Sequence, residues 1–277
     1  MNRIVLGVAN KWSIAWSIAR AWDAAGANVV MVCRSDRERA AVEKLATLLH
    51  HNTTTSPVLT CDVEDDESLA STFAQAGEMF QGQLDSVLHG VAAAPPGVLG
   101  KPLHELTAQE FLSTQSVSAY SLLSTVRHAL PLLTSSTATT ATTTSPTAKI
   151  PITTTSPSIT TLSYIGSNLA VPGYGAMGCA KASLEASVRY LAQELGPRGV
   201  RINCVSAPPT KTLSARAIPN FRSMQLHAVE QSCLQRAISH DEIAAYATFL
   251  ASPQASGITG QIVQVDGGFS SVCGQHN

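Results

Sequence analysis

The sequence predicts a single α/β domain built on a doubly wound, mainly parallel, seven-stranded sheet with helices on both faces. Two observations carry that expectation. Short apolar runs of strand length alternate along the chain with helical periods of about 10–15 residues, the rhythm of parallel βαβ units. At 277 residues the chain is also long enough for one large domain with a substantial buried core.

Arg3–Gly7 (RIVLG) reads as the first strand, and Ser13–Ala25 as a helix with Ile14, Ile18, Ala21, Trp22 and Ala25 on one face. Asn28–Cys33 (NVVMVC) is a second, buried strand, followed by a polar helix around Arg37–Leu49. Pro57–Val63 (PVLTCDV) is the third strand and Leu84–Ala92 (LDSVLHGVA) the fourth. Asp65 and Asp66 stand where they can cap the helix between those two strands. Thr107–Leu133 reads as one long helix, Ile159–Ser163 as the fifth strand and Tyr174–Leu195 as a second long helix. Val200–Val205 and Gln261–Val265 complete the strands. One segment breaks the rhythm. From about Thr134 to Ser156, Thr, Ser and Ala dominate without periodic apolar residues. A Thr/Ser-rich flexible surface insertion at about 134–156 is therefore expected within one domain spanning 1–277. In such a Rossmann-type sheet, ligands sit beyond the carboxyl ends of the strands.

Composition narrows the function. The chain is 44% hydrophobic and 13% charged, with formal net charge -1, which offers no basic footprint for nucleic acid. No run approaches the roughly 18–20 apolar residues of a membrane span. The strand pattern begins by Arg3, so no secretory or transit peptide is expected and the cytoplasm is the expected compartment. Six cysteines (Cys33, Cys61, Cys179, Cys204, Cys233 and Cys273) show no CxxC and no His/Cys ligand spacing, which predicts reduced thiols and no metal site.

Two stretches stand where chemistry belongs. Gly7-Val-Ala-Asn-Lys-Trp-Ser13 joins the first strand to the first helix. A phosphate-binding turn needs a residue without a side chain where backbone meets pyrophosphate, and free N–H groups at the helix start. With one glycine and no GxGxxG, the stretch reads on local chemistry either as such a turn or as an ordinary βα turn with Ser13 as N-cap. Further on, Tyr174 opens a helix and Lys181 follows seven residues later. Two helical turns put both on one face, roughly 10 Å apart along the axis. A phenol there can point at a substrate oxygen while the ammonium reaches a nicotinamide ribose. In isolation the pair reads more simply as a half-buried Tyr and a snorkelling Lys.

The strings around these residues resemble the enoyl-acyl-carrier-protein reductases, a divergent branch of the short-chain dehydrogenases/reductases. GVANKWSIAW is similar to that family's G-x5-S-x-A cofactor motif, and Cys61-Asp62-Val63 to its C-D-V. TLSYIGSNLAVPGYGAMGCAKASLEASVRYLAQELGPRGVRIN resembles the family core almost throughout. The common Y-x3-K spacing fails because position 178 is Gly, whereas the family's Y-x6-K fits. Its additional tyrosine, ten residues before the catalytic one, is present as Tyr164. SAPPTKTLSARAI (Ser206–Ile218) and GITGQIVQVDGGF (Gly257–Phe269) look like later signatures. Four places depart from the pattern. The S-I-G after the fourth strand is Gly90-Val91-Ala92, the glycine of S-A-G-P is Pro208, the following isoleucine is Thr210, and the Asn after the tyrosine is Gly175. Losing a glycine from a positive-φ position costs about a kcal/mol or more, so these changes bear on the acyl pocket and the nicotinamide grip.

The resemblance implies an NAD(P)H-dependent enoyl thioester reductase of fatty acid synthesis. Its substrate would be a trans-2-enoyl group on acyl carrier protein or coenzyme A, and its assembly a homotetramer. It places Gly7, Ser13 and Ile14 at the pyrophosphate and ribose, Asp62 and Val63 at the adenine, Ala92 near the cofactor, and Thr210 and Thr212 at the nicotinamide. It gives Tyr174 the enolate oxygen, Tyr164 the acyl site, and Lys181 the nicotinamide ribose together with a lowering of the tyrosine pKa. Arg34 lies 21 residues after Ser13, about where the adenosine ribose contact belongs. A guanidinium there can take a 2′-phosphate bidentately, which favours NADPH over NADH; the alternative is a solvated loop Arg. Two other functions fit the same residues. One is a short-chain carbonyl reductase of specialised metabolism, distinguished by activity on ketones. The other is a catalytically inactive dinucleotide-binding protein, against which the retained tyrosines and Lys181 argue.

Overall fold

The computed structural model describes residues 1–49, 56–138, 156–212, 215 and 218–272. The first half runs β1 (Asn2–Leu6), α1 (Ile14–Ala24), β2 (Asn28–Cys33), α2 (Asp36–Ala46), β3 (Val58–Thr60), α3 (Asp66–Met79) and β4 (Ser86–His89). Then come α4 (Ala108–Gln115), α5 (Ser121–Ala138), β5 (Ser158–Ser163), α6 (Gly175–Leu195) and β6 (Arg201–Ser206). The chain closes with α7 (Phe221–Gln231), α8 (His240–Leu250) and β7 (Ile262–Gln264). Among the described residues the seven strands form one sheet in the order β3-β2-β1-β4-β5-β6-β7. Every neighbouring pair is parallel, so the sheet is wholly rather than mainly so.

Alternation across the pleat explains the unbroken apolar runs. Ile4, Leu6, Val30 and Val32 point to one face, where they pack with Leu69 and Phe73 of α3, Leu122 and Val126 of α5, and Leu184 and Val188 of α6. Val5, Val29, Met31 and Cys33 point to the other, against Ile18 and Trp22 of α1, Val42 of α2, and Ala244 and Ala247 of α8. Both faces are covered, so both residue parities are apolar. At the start of α3 the Asp65 carboxylate accepts the Glu67 N–H at 3.0 Å, the cap expected of that cluster.

The structure corrects several boundaries. The strands expected over Pro57–Val63 and Leu84–Ala92 end earlier, at Thr60 and His89. Cys61, Val63 and Gly90–Ala92 are apolar or small, but the backbone at both places leaves the sheet to form loops. The expected single helix over Thr107–Leu133 is interrupted by a π-helical segment, Ser116–Tyr120, between α4 and α5. It starts at a capping box in which Thr107 and Glu110 bond reciprocally. Helix α5 then runs on through Ala138, into the segment expected to be a loop. At the far side of that segment, half-buried Ser156 accepts a 2.7 Å bond from Arg201 Nε, which ties it to β6. The rest of the expected insertion, 139–155, lies outside the described residues. Helices α7 and α8 have no counterpart in the sequence reading.

The order of strands reverses between β1 and β4, and a crevice opens beyond the carboxyl ends of a sheet at such a point.

Candidate active site

That crevice is a cleft of about 420 Å³. Gly7, Ser13, Ile14, Arg34, Asp62, Val63, Ala92, Tyr164, Tyr174, Lys181, Thr210 and Thr212 all line it. The sequence-predicted site residues therefore converge.

At the switch point Gly7 is required twice over. Its φ is +94°, and a Cβ there would lie 2.2 Å from the Gly90 carbonyl oxygen. The loops leaving β1 and β4 thus cross with no room for a side chain, which one glycine achieves without a GxGxxG. Ser13 holds the N-cap position of α1, but its side chain makes no cap bond. Its hydroxyl turns back to accept the Ala9 and Asn10 N–H groups, each at 3.2 Å, and fixes the loop. The N–H groups of Ile14 and Ala15 have no intrahelical acceptor by the geometry of a first turn, and both residues face the cleft.

One end of the cleft is bounded by Cys33, Arg34, Glu38, Cys61, Asp62 and Val63. Asp62 organises its own turn, accepting the Glu64 N–H at 3.1 Å. The Arg34 guanidinium is 59% exposed and lies 3.8 Å from the Glu64 carboxylate. Toward the centre, the π-helical segment contributes Ser118, whose hydroxyl accepts from Ala93 N–H at 3.0 Å and donates to Ala93 O at 2.8 Å. That double clamp fixes the loop bearing Ala92 and explains a use for the helix irregularity. Ala92, Pro208 and Thr210 are absent from the described non-glycine residues of positive φ, so the departures at these positions carry no left-handed strain.

At the other end Tyr174, Tyr164 and Lys181 are all buried, with exposures of 8%, 9% and 5%. Tyr174 is the N-cap of α6, and Lys181 reaches back from the second turn to donate to Leu162 O at 2.8 Å. Tyr164 meets Tyr174 edge to face and directs its hydroxyl at the Met224 sulfur, 3.6 Å away. Leu99, Met177, Ile218, Phe221 and Met224 make the surroundings apolar.

Burial sets the protonation of this end. The Tyr174 phenol is pushed well above its ordinary value, by burial first and by Tyr164 second. The expectation that Lys181 lowers it is reversed: desolvation wins, and the phenol is a protonated donor. Burial alone pushes Tyr164 up to about 12. It also lowers Lys181 to about 8, against the opposing influence of Cys204 and Glu185. Glu185, itself buried, accepts the Ser163 hydroxyl at 2.5 Å.

Sequence reasoning missed several residues that build the site. Gly166 and Gly178 make room for the tyrosines: a Cβ at 166 would lie 2.6 Å from Tyr174 Cδ1, and one at 178 would lie 2.7 Å from Gly166 O. Position 178, the lysine position of the common spacing, is thus closed to any side chain. Glu38, Glu185, Ser118 and Met224 gave no signal beyond their own polarity or apolarity.

The family model described as Enoyl-(Acyl carrier protein) reductase matches residues 7–156 and 136–270. The NADH-dependent enoyl-[acyl-carrier-protein] reductase FabI of Bacillus subtilis is 37% identical over 97% of this chain and 95% of its own length. The NADPH-dependent FabI of Staphylococcus aureus is 35% identical over 97% and 96%. The crystal structure of the Bacillus cereus enoyl-acyl carrier protein reductase, with NADP+ and indole naphthyridinone, superposes with a TM-score of 0.88 at 35% identity, covering 98% of this chain and 97% of that one. Similarity of this extent, in sequence and in fold alike, shows that the chain belongs to the enoyl-acyl-carrier-protein reductase family.

Proposed function

We propose that the chain is an enoyl thioester reductase of fatty acid synthesis, using NADPH or NADH to reduce the trans-2 double bond of a substrate on acyl carrier protein or coenzyme A. The observation that supports this best is the meeting of Tyr164, Tyr174 and Lys181 with Gly7 and Ser13 in one cleft.

The residues present fit a nicotinamide dinucleotide. The cleft passes over a glycine that tolerates no Cβ and over the first N–H groups of α1, where an anionic pyrophosphate is favoured. In this proposal Gly7, Ser13 and Ile14 hold the pyrophosphate and adjoining ribose, and Arg34, Asp62 and Val63 the adenosine. Ala92, Thr210 and Thr212 meet the nicotinamide. When bound, the dinucleotide supplies a hydride to the substrate β-carbon. Tyr174 donates a hydrogen bond to the thioester oxygen and so stabilises the negative charge that develops there. Its raised pKa keeps the donor proton in place across the neutral range. Lys181 gives one N–H to Leu162 O, leaving two for the nicotinamide ribose. Tyr164 lines the acyl site with Met177 and Met224 and keeps water from the reacting carbon.

Residues 1–277 are proposed as one reductase domain, working in the cytoplasm as a homotetramer. Two separate exposed apolar faces support self-association: Leu112, Tyr120 and Leu123 along α4 and α5, and Leu234 and Phe249 beside β7. No described helix is long and apolar enough to cross a membrane, and neither membrane nor nucleic acid enters the proposal.

A spectrophotometric assay of NADPH and NADH oxidation with crotonyl and longer enoyl thioesters tests the activity. Turnover of those thioesters is expected. Turnover of ketones alone would favour the carbonyl reductase, and dinucleotide binding with no turnover would favour the inactive binding protein.

A further inference from the structure

We infer that Glu38 selects the dinucleotide, and that it selects NADH over NADPH. This presupposes the dinucleotide reading of the cleft and adds to it which ribose is accepted.

In a doubly wound sheet the adenosine ribose lies beyond the end of β2. There the cleft meets one cation, Arg34, and two carboxylates, Glu38 and Asp62. Arg34 is poorly placed to dominate. Its side chain is 59% exposed, and its one charged partner among the described residues is Glu64, at 3.8 Å. Glu38 is the better fixed of the two. It sits in the first turn of α2, and its Oε2 accepts the backbone N–H of Arg34 at 3.1 Å, which anchors the carboxylate at the end of β2. Its Oε1 has no hydrogen-bond donor among the described residues. Its charge is felt at the strand terminus, since it helps burial to push the Cys33 thiol up.

A carboxylate held in that position accepts a hydrogen bond from a ribose 2′-hydroxyl. A 2′-phosphate carries roughly two negative charges near neutral pH and offers no comparable donor. The neighbouring charges do not reverse the balance. Arg39 is tied to Glu43 at 2.9 Å, and exposed Arg37 is not among the residues that line the cleft. Glu64 stands 3.8 Å from the Arg34 guanidinium and Glu38 accepts the Arg34 backbone N–H, so two carboxylates flank the one cation at this end of the cleft.

The test is titration of the full-length protein with NADH and with NADPH, followed by quenching of tryptophan fluorescence. NADH is expected to bind about tenfold or more tightly than NADPH, because like charges are juxtaposed only in the second case. Glu38→Gln keeps an acceptor for the Arg34 N–H and should erase most of that difference by tightening NADPH. Should that variant fold poorly, competition of wild-type NADH binding by 2′,5′-ADP and by AMP gives the same information, with AMP expected to be the stronger competitor. Tighter wild-type binding of NADPH, or a Glu38→Gln variant that shifts both affinities alike, would overturn the assignment. Failure of both dinucleotides to bind would instead remove the cofactor reading of the cleft, and the selection with it.

Discussion

The phenol rings of Tyr164 and Tyr174 meet edge to face, their centroids 5.1 Å apart and their planes at 79°. This packing orients Tyr174 independently of any ligand. It is possible because Gly166 passes beneath both rings: an added Cβ there would be 2.6 and 2.9 Å from Tyr174 carbons and 3.2 Å from Tyr164 Cδ1.

Gly166→Ala should therefore displace Tyr174. Overpacking of this kind costs about 1–3 kcal/mol, so the melting temperature should fall by several degrees and enoyl thioester turnover should fall with it. Gly257→Ala is the control, since nothing lies within 4 Å of an added Cβ there. Equal turnover in the two variants would mean that the ring steps aside without consequence.

A buried lysine makes activity and stability respond to pH in opposite senses. Lys181 is lowered to about 8 by burial, against Cys204 and Glu185, which raise it; His89 is the nearby group on β4. If the charged form grips the ribose, dinucleotide affinity should be full below about 8 and decline above it. Folding stability should rise over the same range. Between about 8 and the ordinary lysine value of 10.5, the unfolded chain holds a proton that the folded one has released. Glu185→Gln removes one of the opposing influences, so the midpoint of the affinity loss should move to lower pH. Binding titrations across pH would show this, and an unmoved midpoint would disconnect Glu185 from Lys181.

Acid should act through a different residue. His89 is buried, with its ring nitrogens 3.0 Å from Thr161 Oγ1 and 2.8 Å from Ser121 Oγ, and burial followed by Lys181 lowers its pKa to about 3. A folded value below the unfolded 6.5 means that the unfolded chain takes up the proton first. Its contribution is full above about 6.5 and is lost progressively as pH falls from there toward 3. Denaturant midpoints should decline over that window, and less steeply in His89→Gln. Parallel slopes in the two proteins would assign the acid response to other groups.

Much of this was legible in the sequence, and the limits have physical causes. Buried parallel strands announce themselves by apolar runs, which is why β1, β2 and β5 read correctly within a residue or so. The same signal runs past the ends of β3 and β4, because Cys61, Val63 and Gly90–Ala92 stay small or apolar while the backbone there peels away to line the cleft. The π-helical turn at Ser116–Tyr120 widens one turn and shifts the helical phase, a change too local to read from the sequence that shows in three dimensions as Ser118 reaching Ala93. Gly166 and Gly178 matter through a contact between segments, and nothing in either local sequence reveals it. Glu38 and Glu185 lie in helices rich enough in polar residues to read as solvated faces, yet one lines the cleft and the other is buried. The raised pKa of Tyr174 is not legible in the sequence, which shows the nearby lysine but not the depth of burial.

The decisive contrast is between Tyr174→Phe and Lys181→Ala. Tyr174→Phe removes one hydroxyl and leaves the ring that packs on Tyr164, so the pocket keeps its shape. If that hydroxyl stabilises the developing enolate, turnover should fall by roughly 10² or more while the dinucleotide dissociation constant barely moves. Lys181→Ala removes the ammonium proposed for the ribose, so it should raise that constant and slow turnover together. It also empties a buried site and frees the Leu162 carbonyl, so some loss of melting temperature is expected in this variant alone. A generally misfolded protein would lose both properties in both variants, which is why the pattern decides more than either rate. Near-normal turnover of every enoyl thioester by Tyr174→Phe would show that the group stabilising the enolate oxygen lies elsewhere in the cleft.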